Sequence, residues 1–208
     1  MSPEFLFFDM GNVLIHFDQP TICDRMAAVA GVTPELVFQN FFSNVGVLWE
    51  AEAGRLTRHE LYEKFCEQTN SRPSEVELEV ASCSTFTINT QMLPVLVALK
   101  RAGNRIGILS NICESHWTWC LSHYRFLTDL FDVQLASYQL KCSKPSSEIF
   151  EKAQRLVGVT HSDRIFFTDD ISKNAAGAKS AGWDAELFTD VPSLVASLRK
   201  RHVAIASY

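Results

Sequence analysis

The sequence predicts an α/β fold, a doubly wound parallel sheet of Rossmann-like type carrying an inserted all-helical cap. Phe5-Leu6-Phe7-Phe8 is a continuous apolar run that stops on Asp9 and turns at Gly11, as a strand buried on both faces should. From residue 91 onward, helix-period segments alternate with short apolar runs, the pattern of βαβ units. Between residues 18 and 87 the periodicity is helical, charges are frequent and strand-type alternation is missing. The core is therefore expected to comprise residues 1–17 and 88–208, and the helical insertion residues 18–87.

Within the insertion, helices should begin near Pro20, Pro34, Thr57 and Ser74, where Thr57-x-x-Glu60 and Ser74-x-x-Glu77 fit the capping-box pattern. Phe38, Phe41 and Phe42 read as the apolar core of this unit, and His59 and His123 as helix-surface residues. Residues 91–102 form an amphipathic helix stopped by Gly103, and Arg105–Leu109 a strand ending on Ser110 and Asn111. A helix over 114–124 follows, with Trp117 and Trp119 two residues apart, so that at most one can reach a pocket. Residues 132–136 read as a third strand, and Pro145 opens a helix running to Leu156. Ile165–Thr168 is a fourth strand ending on Asp169 and Asp170, followed by a helix whose small residues, Ala175 to Ala178, permit close packing on the sheet. Residues 185–188 and 192–201 complete the chain as strand and helix.

With 208 residues, 47% of them hydrophobic, the chain can fill the core of one large domain or of a domain with a smaller insert. A net charge of −5 without a basic stripe argues against nucleic acid and anionic membrane as partners and leaves small molecules as the default. The six cysteines include no Cys-x-x-Cys pair and no histidines at metal spacing, which points to reduced thiols and a cytoplasmic setting. No basic segment precedes the first apolar run, and no stretch approaches the ~20 apolar residues of a membrane span, so secretion and membrane insertion are not expected.

Three strands end on groups suited to phosphate or metal chemistry: Asp9, then Ser110-Asn111, then Asp169-Asp170. In an open α/β sheet they would share the carboxyl edge where ligands bind. Each alone is also an ordinary turn former, and Lys144 alone could be a surface charge. Together they supply a nucleophile, hydroxyl and amide donors, a cation and an acidic cluster for a divalent ion.

The four motifs, in this order and over essentially the whole chain, resemble those of the haloacid dehalogenase superfamily in its helical-cap subclass. Phe-Asp-Met-Gly-Asn-Val-Leu, Leu-Ser-Asn, Ser-Lys-Pro and Phe-Thr-Asp-Asp are most similar to the bacterial glucose-1-phosphate phosphatase group, which is related to the phosphatase domain of soluble epoxide hydrolase. The resemblance implies a Mg²⁺-dependent phosphatase acting on a small phosphorylated metabolite of the sugar-phosphate class, as a monomer or homodimer. Asp9 would attack phosphorus and form an aspartyl phosphate. Mg²⁺ would be held by the Asp9 carboxylate, the Gly11 carbonyl and Asp170, with Asp169 and Asn174 in the outer shell. Ser110 and the Asn111 amide, with Met10 and Gly11 of the catalytic turn, would contact the phosphoryl group, and Lys144 would neutralise its charge. Lys141 is expected to be solvated.

The chain departs from the family's usual pattern at Gly11, where most of its phosphatases carry a second Asp as general acid and base. Three readings remain open: an active enzyme whose leaving oxygen is acidic enough, such as an anomeric one; a non-catalytic phosphate-ligand binding or interaction protein; and a 2-haloacid dehalogenase. The last needs no metal, and the Asp169-Asp170 pair argues against it. Substrate selection is expected in the cap, where Trp49 and Glu50, beside Gly54 and Arg55, suit a sugar, although core packing is an equal reading of Trp49. His16 either lines the entrance or packs at the hinge.

Overall fold

In chain order the strands are β1 (Phe5–Phe8), β2 (Ile15–His16), β3 (Thr87–Ile88), β4 (Ile106–Ser110), β5 (Val133–Ala136), β6 (Ile165–Asp169) and β7 (Asp184–Leu187). They are seen in a computed structural model that describes residues 2–43 and 46–207. Five strands form one sheet in the order β5-β4-β1-β6-β7, every neighbouring pair parallel. β1 lies at its centre, and all four of its residues are buried.

Alternation along β1 divides the core into two layers. Leu6 and Phe8 face a cluster with Met92, Leu96, Leu99, Trp117, Leu194 and Leu198, which belong to helices Met92–Arg101, Glu114–His123 and Val191–Lys200. Phe5 and Phe7 face Ile149, Phe150, Ala178 and Trp183, supplied largely by helices Ser147–Val157 and Ser172–Ser180. Trp183 stacks on Phe7 with ring centroids 5.3 Å apart. Helices thus cover both faces, the condition under which an all-parallel sheet is stable.

The chain leaves this core through β2 and returns through β3, which pair antiparallel. Asn89 fixes the junction: its backbone N–H donates to the Leu14 carbonyl at 2.9 Å and its side-chain amide to the Val13 carbonyl at 2.9 Å. Between the two strands lie helices Gln19–Ala30, Pro34–Val37, Leu48–Glu52, Arg58–Thr69 and Glu75–Cys83, with a π-helical segment at Phe38–Phe42. Their cluster contains Ile22, Met26, Val37, Phe41, Leu61, Phe65 and Leu78.

Several local expectations need correction. The Thr57–Glu60 capping box forms in full, but of the second only the Ser74 hydroxyl accepting from the Glu77 N–H is made. Phe38 is 47% exposed rather than core, while Phe41 is buried. The π-helical turn there carries the residues out of the 3.6-residue phase that predicted a common face. The helix after Pro145 starts two residues later, at Ser147, with Ser146 as its cap. Lys141 is not merely solvated: its Nζ donates to the Gly54 carbonyl at 2.8 Å, joining the helical insertion to the core. Gly54 allows this approach, because at its φ of +68° a Cβ would stand 2.2 Å from the Tyr138 carbonyl oxygen.

Candidate active site

β4, β1 and β6 are adjacent in the sheet, so the residues at their carboxyl ends converge. Asp9 follows β1 directly and is 6% exposed. Its Oδ1 accepts the Met10 N–H at 2.7 Å and the Lys144 ammonium at 2.8 Å, and among the described residues its Oδ2 accepts no hydrogen bond. The carboxylate is therefore held by one oxygen and presents the other.

Lys144 arrives from the turn before helix Ser147–Val157. The Asn111 side chain clasps its backbone, accepting the Lys144 N–H at 2.8 Å and donating to its carbonyl at 2.9 Å. Gly177 gives the turn room, since a Cβ there would meet the Pro145 carbonyl oxygen at 2.6 Å. The Lys144 side chain is fully buried, and its Nζ also donates to Asp169 Oδ2 at 2.6 Å and to the Leu109 carbonyl at 2.9 Å. It lies 5.2 Å from the centre of the Phe167 ring.

Asp169 is saturated. Its Oδ1 accepts from the Ile171 N–H and its Oδ2 from Lys144, and the Asn174 amide reaches both oxygens at 3.1 and 3.2 Å. Asn174 thus serves Asp169, not Asp170. Asp170 is half-buried and accepts the Asn12 amide at 3.0 Å. Asn12 can reach it because the turn places this residue at a φ of 52°, a left-handed conformation that Asn tolerates. The Gly-Asn pair was the available sequence signal for this partner.

Carboxylate oxygens of Asp9, Asp169 and Asp170 lie within 4.8 Å of one another. Burial pushes the Asp9 carboxyl up to about 7, with Lys144 opposing and Asp169 adding to the shift. Asp170 is also raised, by burial first and by Asp169, against the pull of Asn12. Burial works against the Lys144 ammonium, but Asp9 and Asp169 outweigh it and hold the group above the ordinary lysine range. Three acids against one cation, all offering oxygen, fit a hard divalent ion such as Mg²⁺. Asp9 and Asp170 retain free ligand capacity, whereas Asp169 has spent its own on Lys144, Ile171 and Asn174. The Gly11 carbonyl already accepts the Val13 N–H at 2.7 Å, which leaves it one lone pair.

Over the strand ends opens a cavity of about 280 Å³. Met10, Gly11, Ser110 and Asn111 line its core side, and Phe17, Phe42 and Trp49 contribute aromatic wall from the helical side. Trp49 is 48% exposed and carries the Arg55 guanidinium 4.0 Å above its ring, so it stands at the rim and not in a core. The Asn111 side chain is engaged with the Lys144 backbone and so orders the lysine turn, while Asn111 itself lines the cavity.

Glu50 is not in the cavity. It pairs with Lys64 at 3.0 Å, and Glu52, two residues on and therefore across helix Leu48–Glu52, faces the site instead. His16 is likewise turned away: strand alternation buries Ile15 and exposes His16, in a separate groove with Asn12, Asn89 and Asp170. Neither Trp117 nor Trp119 lines the cavity. Trp117 packs in the core and Trp119 stacks on His123, while His116 and Cys120 of the same helix reach the pocket.

A pyrimidine 5'-nucleotidase, YjjG, of Escherichia coli is 27% identical over 187 residues, 84% of this chain and 80% of that protein. A D-ribitol-5-phosphate phosphatase of Bacteroides thetaiotaomicron is 23% identical over 185 residues, 86% of this chain and 88% of that one. Among solved structures, a HAD family enzyme of Bacteroides thetaiotaomicron in complex with magnesium and inorganic phosphate superposes with a TM-score of 0.80 at 26% identity, covering 92% of this chain and 98% of that one. The L-2-haloacid dehalogenase of Xanthobacter autotrophicus shares the fold at a TM-score of 0.65 and 19% identity, covering 95% and 83%. The haloacid dehalogenase-like hydrolase family matches residues 4–182, a span that contains every strand and turn contributing to the acidic cluster. The chain belongs to that family.

Proposed function

We propose that the protein is a Mg²⁺-dependent phosphomonoesterase that hydrolyses a small phosphorylated metabolite of the sugar-phosphate class, with glucose 1-phosphate as the type, through an aspartyl phosphate on Asp9. One observation carries this reading: Lys144 bridges Asp9 at 2.8 Å and Asp169 at 2.6 Å beside Asp170, a nucleophile, a cation and a metal-binding acid on one sheet edge. Asp9 would displace the alcohol from phosphorus with Oδ2, the oxygen that accepts no hydrogen bond among the described residues. Lys144 would keep Asp9 ionised and balance the charge of the phosphoryl group in flight. Ser110, buried at the end of β4, would hold a phosphoryl oxygen. A bound Mg²⁺ would rest on Asp9, Asp170 and the Gly11 carbonyl and withdraw charge from the phosphoryl oxygens.

The small cavity and the names of two relatives, a nucleotidase and a polyol-phosphate phosphatase, support a compact ester. Six free cysteines, all buried, support a reducing, cytoplasmic setting. No helix among the described residues is long and apolar enough to cross a membrane. Phosphate release from glucose 1-phosphate, glucose 6-phosphate, ribitol 5-phosphate and pyrimidine 5'-nucleotides, with and without Mg²⁺ and with Asp9→Asn as the blank, tests the proposal. Mg²⁺-dependent release from a sugar phosphate is expected; no release above the blank from any ester overturns it in favour of a phosphate-binding role.

A further inference from the structure

The site as described lacks a proton donor for the departing alcohol. Gly11 has no side chain, and a Cβ there would press on the Phe17 ring at 3.2 Å. The cavity that Met10, Gly11 and Ser110 line nevertheless holds one acid, on the wall that the helical insertion supplies. Glu52 ends the short helix Leu48–Glu52, and its carboxyl makes no hydrogen bond or ion pair among the described residues. Its backbone is pinned, since the buried Ser137 hydroxyl donates to the Glu52 carbonyl. A carboxyl carried on a fixed backbone and facing the cavity is placed to exchange protons with what the cavity holds.

We propose that Glu52 is the general acid toward the leaving oxygen and the base toward the hydrolytic water, in the role for which position 11 has no side chain. The inference rests on the phosphatase reading above. In the first step Asp9 Oδ2 bonds to phosphorus, the bond from phosphorus to the alcohol oxygen breaks, and that oxygen keeps the electron pair and takes the Glu52 proton. In the second, water adds to phosphorus as Glu52 removes its proton. The bond to Asp9 then breaks, regenerating the Asp9 carboxylate and neutral Glu52 and releasing phosphate.

The surroundings supply the protonation state this requires. Burial pushes the Glu52 carboxyl up to about 7, aided by Cys113 and Asp9 and opposed by His116 and Lys144. His116, which lines the same cavity, is buried with Nε2 lacking a hydrogen-bond partner, and burial brings its pKa down to about 4. At neutral pH the imidazole is therefore uncharged and does not hold Glu52 ionised. A carboxyl poised near the working pH can give a proton in one step and recover it in the next.

Leaving-group dependence tests the assignment. Phosphate esters of graded leaving-group acidity, from p-nitrophenyl through phenyl to simple alkyl phosphates, are compared for wild type and Glu52→Gln. The variant is expected to lose ~10²- to 10⁴-fold in kcat/KM on alkyl phosphates and little on p-nitrophenyl phosphate. With p-nitrophenyl phosphate it should also show a burst of one equivalent of nitrophenol followed by slow turnover, because the phospho-enzyme has lost its base. An equal loss on every ester, or no loss, overturns the role of Glu52 and leaves the phosphatase intact. A wild type that releases phosphate from none of them overturns both. Should Glu52→Gln not fold, Glu52→Asp, which keeps the carboxyl but withdraws it by one methylene, is expected to give the same graded pattern at smaller amplitude.

Discussion

Ser137, fully buried at the start of helix Ser137–Leu140, donates its hydroxyl to the main-chain carbonyl of Glu52, 85 residues away, and accepts the Ile112 N–H at 3.0 Å. One oxygen thus ties the helical insertion to the loop after β4. Ser137→Ala leaves a carbonyl and an N–H without their partner, each worth about 1–3 kcal/mol when buried. Urea unfolding should register a loss of that order, and kcat/KM for phosphate release should fall with it. Unchanged stability would mean that the two groups find other partners.

Asp9→Asn removes the nucleophile while keeping the shape of a side chain that is almost wholly enclosed. Phosphate release is expected to vanish while the thermal unfolding midpoint stays within a few degrees of wild type. Measurable turnover in this variant would refute attack by Asp9.

Lys144 is the only cation that bonds Asp9 or Asp169 among the described residues. Lys144→Met strands two carboxylates in a site that excludes water, and breaking a buried pair from one side costs about 3–5 kcal/mol. Chemical denaturation without metal should show a loss of this size, partly recovered by Mg²⁺. A variant as stable as wild type would show that the carboxylates are protonated rather than paired.

Among the described residues Asn12 is the one side chain that bonds the Asp170 carboxylate, so its oxygens have capacity for a metal. In wild type, Mg²⁺ should raise the unfolding midpoint with concentration as ligand linkage requires, and Asp170→Ala should move that response and the Mg²⁺ dependence of turnover to far higher concentration. Thermal shift against Mg²⁺, read beside phosphate release, checks it; identical curves would remove Asp170 from the ligand set.

Glu52 and His116 give the fold opposite responses to pH. The unfolded chain ionises Glu52 above its ordinary 4.5, whereas the folded state keeps the proton to about 7, so wild type loses stability as pH rises through that window. The unfolded chain protonates His116 below 6.5, whereas the folded state resists to about 4, so wild type loses stability as pH falls through that window. Relative to wild type, Glu52→Gln should gain stability from pH 4.5 to 7 and His116→Gln from 6.5 down to 4, each by at most about 3 kcal/mol. Denaturation profiles parallel to wild type in both variants would refute the two shifts.

The sheet and its polar edge were legible because each strand announces itself locally: an apolar run long enough to cross the core, then Asp9, Ser110 or Asp169 where the run stops. The wall opposite was not. Glu50 and Glu52 lie on one short helix, and which of them faces the cavity depends on Ser137 and Lys141, whose contacts with the insertion span 85 and 87 residues of chain. The phase of helix Glu114–His123 is likewise set by Trp117 and Cys120 entering the core, which turns His116 to the pocket; no tryptophan count reveals that. The paired strands β2 and β3 have two residues each, too few to show a period.

That same two-stranded ribbon makes the helical insertion a cassette. Its entry and exit run side by side, with Ile15 opposite Ile88, so the sheet is blind to what lies between them. A tight hairpin turn or a quite different domain could be spliced into the gap without moving Asp9, Lys144 or Asp170. Replacing the cassette would discard Trp49 and Glu52 together, so in such a chimera the phosphate-handling edge would survive while the wall that meets the leaving group, and its proton donor, were lost.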